Sequence, residues 1–313
     1  MRIGLMVEGQ AGLTWERWSH ILKTAEALGI PTVFRSDHYH TGRQMDSLEA
    51  YLSFVVAARE TRSIRFGPLV TPMTFRSPVD VGRMAAQISQ LSRGRFLLGL
   101  GAGWFEPEHI TYGINFPELR ERMDRFEEGV EVIKALWGRG PASYEGKYYH
   151  LNEADCLPKP TDGTETPILI GGTGKRRTLP LAVKHAVEWN STPLPIAVYA
   201  KKAKLVNRLC EEAGRDPMSL QRSMMSFGLV ASDQKMLDRV TTFHMGRATG
   251  SPAAYREKVS ASGAFICGLT NEVVDILGAY AEAGLDEIEF EQFNFDSDEV
   301  PTYLAEELAP LVA

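Results

Sequence analysis

The sequence predicts a single-domain α/β fold, a (β/α)8 TIM barrel spanning residues 1–313. Three observations carry that reading. Short apolar runs alternate with longer amphipathic segments, and such alternation implies a parallel sheet. The rhythm repeats about eight times in one unbroken chain, which favours a closed barrel over an open doubly wound sheet. No linker, low-complexity segment or charge tail interrupts it. The one break, residues 138–166, reads as an insertion before the fifth strand, with YEGKYYHL alternating as a small hairpin would.

The elements follow in order. RIGLMV (2–7) is the first strand and TWERWSHILKTAEAL (14–28) a helix ended by Gly29. PTVFRS (31–36) is the second strand, followed by a helix over 45–60. IRFGPLV (64–70) is the third, with a helix over 77–92 that has Ser77 as N-cap and Pro78 at its first position. RFLLGLG (95–101) is the fourth, and a long amphipathic helix covers 117–137. PILIGG is the fifth, its helix running through His185. Weaker strands follow at VEWNST (187–192), RSMMSFGLV (222–230) and DEIEFEQ from Asp286.

Composition narrows the function. A net charge of −6 argues against a nucleic-acid partner, since phosphate neutralisation needs a basic surface. No apolar run approaches the ~18 residues of a membrane span, and no signal peptide is visible. Cys156, Cys210 and Cys267 are far apart and odd in number, so they read as buried thiols in a reducing compartment. The expected location is the cytoplasm.

Active sites of such barrels lie at the carboxyl ends of the strands. Those ends carry SDHYH (36–40), TPMTFRSP (71–78), GAGWFEPEH (101–109) and GGTGKRR (171–177), with Trp189 and Asn190 on the sixth strand. Asp37 and His38 form a titratable pair there. His38 and His40 have the H-x-H spacing of some metal hydrolases, but further ligands would have to come from Glu106, Glu108 and His109 on one loop, and the expectation is no metal. Gly99, Gly101 and Gly103 clear one face of the fourth strand, either for a flat ligand or for a tight packing corner. Their spacing is not the dinucleotide fingerprint, and no stretch satisfies the P-loop pattern. After the fifth strand, Gly172, Thr173 and Gly174 offer backbone N–H donors. Lys175, Arg176 and Arg177 fall on the expected first helical turn, where cations oppose the macrodipole and an anion would relieve them. The pattern reads as a phosphate cradle.

Taken in order, RSDHYH, FGPLVTPMTFRSPVDVGRMAAQISQLSRGRFLLGLGAGWFEPEHITYGI, RFEEGVEVIKALW, the YEGKYY hairpin, LPKP and PILIGGTGKRRTLPLAVKHAVEWN resemble the bacterial-luciferase-like superfamily, most of all its branch that uses coenzyme F420. The resemblance covers about 190 residues, from the first strand to Asn190. It implies a barrel that holds F420, or alternatively FMN, and acts on a small organic substrate. Asp37 and His38 would lie beside the ring, and a cis peptide at Leu69–Val70, followed by Thr71, behind it. Gly101 and Gly103 would back the cofactor tail. Gly171, Gly172, Thr173 and Gly174 would grip its phosphate, with Lys175 and Arg176 facing its acidic tail. Phe105 stands where the branch usually has Asn, which leaves His38 and Glu106 as the proton-handling candidates. The resemblance also implies a homodimer. The expected activity is hydride transfer; the alternatives are an FMN-dependent monooxygenase using molecular oxygen and a non-catalytic F420 or flavin carrier.

Overall fold

In a closed barrel, alternate residues of each strand point into the lumen and outward to the helices, so both faces are buried. The computed structural model, which describes residues 1–42, 47–161 and 165–313, builds the staves on that rule. The first two are β1 (Arg2–Val7) and β2 (Thr32–Arg35), separated by helix α1 (Trp15–Ala27). After α2 (Ala50–Glu60) comes the third stave, split into β3 (Arg65–Pro68) and β4 (Thr71–Pro72), and then α3 (Pro78–Ser92). The fourth stave is β5 (Leu98–Gly101), followed by α4 (Glu106–Thr111) and α5 (Leu119–Trp137). An antiparallel pair, β6 (Ala142–Glu145) and β7 (His150–Ala154), precedes the fifth stave β8 (Ile168–Gly171) and α6 (Thr178–His185). The sixth is β9 (Glu188–Ser191), with α7 (Ile196–Glu212). The seventh is β10 (Gln221–Ser226), after which β11 (Gly228–Ala231), α8 (Gln234–Met245), α9 (Pro252–Ser260), β12 (Ile266–Leu269) and α10 (Thr270–Glu282) lead to the eighth, β13 (Glu287–Gln292).

The staves pair in parallel in the order β3-β2-β1-β13-β10-β9-β8-β5-β4. The ring closes through the third stave: β3 pairs with β2, β4 pairs with β5, and Phe66 bridges to Phe96 just before β5. The expected eight-stave barrel is therefore present. Three boundaries differ from the sequence reading. The run at 222–230 divides after Ser226, and β11 leaves the barrel to pair with β12, a strand the sequence reading did not identify. Of the helix expected over 45–60, residues 45–46 lie outside the described residues and the remainder begins only at Ala50. Residues 162–164 of the insertion also lie outside them. Helix α6 starts at Thr178, so Lys175 and Arg176 sit in a turn before it, not on its first turn.

Local chemistry accounts for the ends. Ser77 Oγ accepts from Val79 N–H at 3.2 Å ahead of Pro78, and Thr14 Oγ1 from Arg17 N–H at 3.3 Å. Trp137 Nε1–H donates to Gly82 O at 2.9 Å, clamping α5 to α3. Cys156 and Cys210 are buried thiols, while Cys267 is half-buried.

The lumen is layered. At its amino end Arg65 on the third stave reaches Glu188 on the sixth at 2.7 Å, and Glu287 on the eighth at 3.5 Å. Above them Met6, Phe34, Leu69, Leu97 and Leu169 form an apolar plug, with Val70 and Met225 packed against it. The polar residues Glu8, Gln10 and Ser36 lie beyond that plug at the carboxyl mouth.

Candidate active site at the barrel mouth

The second stave ends in Asp37 and His38, which have different surroundings. Asp37 is buried and fully engaged: Arg76 donates to both its oxygens, at 2.6 and 2.9 Å, and Thr71 Oγ1 donates at 2.7 Å. Arg76 continues to Glu49 at 2.6 Å and lies 4.9 Å over the Tyr51 ring. Asp37 thus ties the second stave to the third and to α2. His38 instead keeps 18% of its side chain exposed, and its Nδ1 lies 2.7 Å from Oε1 of Glu108. Glu108 is 1% exposed and also accepts from the Tyr39 N–H at 3.0 Å. An ionised carboxylate only accepts, so Nδ1 carries a proton and Nε2 is the nitrogen left to exchange one. Burial alone would lower the His38 pKa, but the Glu108 hydrogen bond and charge, helped by Glu8 and Asp37, outweigh it and raise the pKa. Trp104 (69% exposed) and Phe105 stand edge-on to the imidazole, with ring centroids at 5.7 and 6.2 Å.

Glu106 is not part of this arrangement. It is exposed at the start of α4, whereas Glu108, two residues on, turns inward to His38. Two residues on a helix are about 200° apart, so only one of the pair can face the mouth. His40 Nδ1 turns instead to Gly42 O at 3.0 Å.

The third stave bulges between β3 and β4, and the Leu69–Val70 peptide there is cis, as expected. Leu69 points down into the apolar plug, and Thr71 is buried under Asp37. Val70 occupies the space that the neighbouring glycines vacate. A Cβ at Gly101 would come within 2.6 Å of Val70 Cγ2, and one at Gly171 within 2.8 Å of its Cγ1. Gly99 has no room either, because its Cβ would meet Pro68 O at 2.0 Å. The strand-four glycines are thus the packing corner, filled from the third stave, and Val70 rather than bare backbone is the surface set between Gly101 and Gly171. Gly103, at φ 77°, packs against Thr74.

At the β8–α6 junction the donors differ from the expectation. The Gly172 N–H is taken by Asn190 O at 2.9 Å, and its carbonyl accepts from Trp189 Nε1–H at 2.7 Å. Gly172 contributes its φ of 120°, a conformation few side chains tolerate. Lys202 Nζ caps the Thr173 carbonyl at 2.7 Å, which orients the loop of Thr173 and Gly174. Arg177 is drawn away to Glu127 and Asp124 on α5, at 2.6 and 2.7 Å. Lys175 and Arg176 stay exposed. Two exposed cations and a turn of backbone N–H groups ahead of a helix fit an anionic tail.

Two further carboxyls complete the mouth, and the sequence reading did not select them. Glu8, 6% exposed, accepts from Gln10 Nε2–H at 2.5 Å, and Gln10 in turn accepts from Ser36 Oγ–H at 2.5 Å. Burial raises its pKa, with Gln10, His38 and Ser36 working against the rise. Glu291, on the next stave, is pushed up to about 8 by burial and then by Glu8. Their signal was the position itself: Glu291 is the last inward residue of β13, paired with Met6 of β1, and Glu8 is the next inward position just past the end of β1. Trp189 is not in the mouth, because it stacks outward on Tyr199 at 6.0 Å, and Asn190 points down the lumen to Ser223 and Glu289.

Residues 1–287 match the luciferase-like monooxygenase family. An F420-dependent glucose-6-phosphate dehydrogenase of Kineococcus radiotolerans is 34% identical over 155 residues, 48% of this chain and 45% of that protein. The match therefore spans less than half the length of that curated relative. An F420-dependent secondary alcohol dehydrogenase, solved in complex with an F420–acetone adduct, superposes with a TM-score of 0.81 at 21% identity, covering 100% of this chain and 99% of the other. The oxygenating constituent of 3,6-diketocamphane monooxygenase from Pseudomonas putida, in complex with FMN, gives 0.79 at 19% identity, covering 100% and 99%. At those identities the two structures establish a shared barrel.

Proposed function

The chain belongs to the luciferase-like monooxygenase family, and from that premise and the geometry of the mouth we propose that it is an oxidoreductase using coenzyme F420 to move a hydride to or from a small organic substrate. The observation that carries this is the half-buried His38, held by buried Glu108 at 2.7 Å at the carboxyl end of a barrel whose third stave sets Val70 against Gly101 and Gly171. When bound, the deazaflavin supplies a carbon centre that accepts or gives a hydride. Everything else is the work of the chain. Val70, backed by Gly101 and Gly171, supports the ring; Thr173, Gly174, Lys175 and Arg176 hold the phosphate and acidic tail; Gly172 and Gly103 shape the backbone around them. Asp37 acts through Thr71 and Arg76 as a positioning residue. His38 Nε2 takes the proton from a substrate hydroxyl, or returns it to a carbonyl, while Glu108 steadies the imidazolium. Trp104 and Phe105 shield that exchange from water. The absence of the usual Asn at position 105 does not argue for the carrier alternative, because Glu108, on helix α4 just after Phe105, supplies an acidic partner. Homodimer formation and residence in the cytoplasm belong to the same proposal.

The deciding test is a fluorescence titration of the purified protein with F420 and, separately, FMN. We expect micromolar or tighter F420 binding and much weaker FMN binding. The double variant Lys175→Glu with Arg176→Glu should weaken F420 about tenfold or more, through lost attraction to an anionic tail. FMN preference would move the reading to an oxygen-using monooxygenase. Tight binding without turnover of any alcohol, aldehyde or enone would move it to a carrier.

A further inference from the structure

Helix α7 carries a lysine where its periodicity calls for an apolar residue. The buried stripe runs Tyr199, Ala203, Val206 and Cys210, and Lys202, three residues after Tyr199 and four before Val206, falls on the same face. Of the lysines in KKAK, Lys201 and Lys204 are exposed and only Lys202 is half-buried. An ammonium at the edge of a core loses hydration unless it finds an acceptor. Lys202 finds the Thr173 carbonyl, in the turn between β8 and α6, at 2.7 Å.

That neutral acceptor leaves the charge uncompensated. Burial, and then the positive charge of Lys175, hold the Lys202 pKa below the ordinary lysine value. Among the described residues no carboxylate pairs with either lysine, although Arg177, two residues after Lys175, has two. A hydroxyl adds to the corner. Thr178 is only 8% exposed, and its Oγ1 lies 2.7 Å from where a Cβ on Gly174 would stand. That hydroxyl hydrogen-bonds to nothing among the described residues, and the N–H groups of Thr173, Gly174 and Lys175 donate to none of them. Two ammonium groups, a buried free hydroxyl and open N–H donors around one turn suit a compact anion, and a phosphate can accept from all of them.

We propose that Lys202 is the specificity-determining residue of this cradle: from the neighbouring helix, and together with Lys175 and Thr178, it closes the turn on the cofactor's phosphate, so that the chain takes the phosphorylated deazaflavin and rejects the same ring and ribityl chain without phosphate. The inference rests on the F420 reading and adds to it the residue on which phosphate recognition depends. An ammonium has three N–H donors, and Thr173 uses one of them. The other two are left for phosphate oxygens while the first holds the loop, so one side chain orders both. Lys175 and Arg176, both exposed, attract any anion; Lys202, tied to Thr173, is the cation with a set position.

The test crosses two ligands with the parent and its variants, read by fluorescence quenching. The ligands are F420 and its phosphate-free deazariboflavin core. Lys202→Met keeps the aliphatic stem and removes the charge. The parent should bind F420 about tenfold or more tightly than the core. Lys202→Met should weaken F420 about tenfold or more and leave the core within about twofold, and Lys202→Arg, which keeps the charge, should retain F420 better than Lys202→Met. Equal loss of both ligands in Lys202→Met would reduce the lysine to a structural prop and overturn the inference, as would a parent that binds both ligands alike. Calorimetric titration of the cofactor-free protein with inorganic phosphate separates this from the F420 reading. Phosphate bound by the parent and lost in Lys202→Met would keep the cradle even where F420 does not bind. A parent that takes up neither F420 nor phosphate would overturn both.

Discussion

The His38 imidazole is held by Glu108, a residue that sequence spacing alone did not single out as its partner. The acidic partner was sought at Glu106, close to the strand-four glycines, but helix α4 begins at that residue and turns it to solvent. Reading 106–111 as a helix would have separated Glu106 from Glu108 by face, and that was the available signal. The placement of His38, Val70 and the Lys175–Arg176 pair at the barrel's carboxyl end was legible because these positions follow strand ends, which apolar runs mark clearly. Glu8 was not, since a lone glutamate after a strand looks like any turn residue. The consequence at this scale is measurable. In Glu108→Gln the hydrogen bond and charge that raise the His38 pKa are weakened while burial stays, so the pKa should fall by about a unit or more. An NMR titration of the imidazole reads this directly, and the alkaline limb of the kcat/KM profile for carbonyl reduction, or the acidic limb for alcohol oxidation, should move with it. An unmoved imidazole pKa would remove Glu108 from the proton-handling pair.

Elements interlock at the third stave, and there the sequence allowed two meanings. Alternating glycines on the fourth strand fit either a flat ligand or a close neighbour, and nothing within LGLGAG distinguishes them. The answer lies in the adjacent stave, whose bulge drives Val70 between Gly101 and Gly171. Gly101→Ala should therefore cost about 1–3 kcal/mol by overpacking. Val70→Ala should lose less than a fully buried valine, because one side of Val70 is open. The double variant should recover most of the Gly101→Ala loss, since the added methyl enters the space the valine methyls leave. Chemical denaturation of the three variants checks this; strict additivity would mean that the glycine serves something other than Val70. A similar dependence on distant partners hid the split after Ser226. RSMMSFGLV is a continuous apolar run, and only the pairing of β11 with β12, some forty residues later in the chain, draws its second half out of the barrel.

At the scale of the whole molecule, the barrel buries an unusual amount of acid, and this fixes how stability responds to pH. DEIEFEQ reads as a weak half-buried strand because its alternation is that of a sheet with one wet face. Here the polar face is the lumen, and Glu287 and Glu289 are buried with Ile288 and Phe290 turned to the helices. Glu8, Glu188, Glu289 and Glu291 all have pKa values raised by burial above the ordinary carboxylate value of 4.5. A raised carboxyl keeps its proton in the folded chain after the unfolded chain has lost it. Its contribution is thus complete below 4.5 and is lost as pH rises through the folded value. His185 and His244, both lowered to about 4, act in the opposite sense, but only between that value and their unfolded 6.5. Above 6.5 that opposition ends, and His38, whose pKa is raised, joins the carboxyls in losing stability with rising pH. Stability should therefore peak below neutrality and fall between pH 6.5 and 8. Glu291, with its value near 8, accounts for up to about 2 kcal/mol of that fall, or about 3 °C in Tm for a chain of this length. Glu291→Gln keeps the shape and removes the titration, so its Tm should decline distinctly less over the same interval in a calorimetric series. A variant that declines as steeply as the parent would show that Glu291 titrates at the same pH folded and unfolded, and that the cavity it lines is wetter than its burial implies.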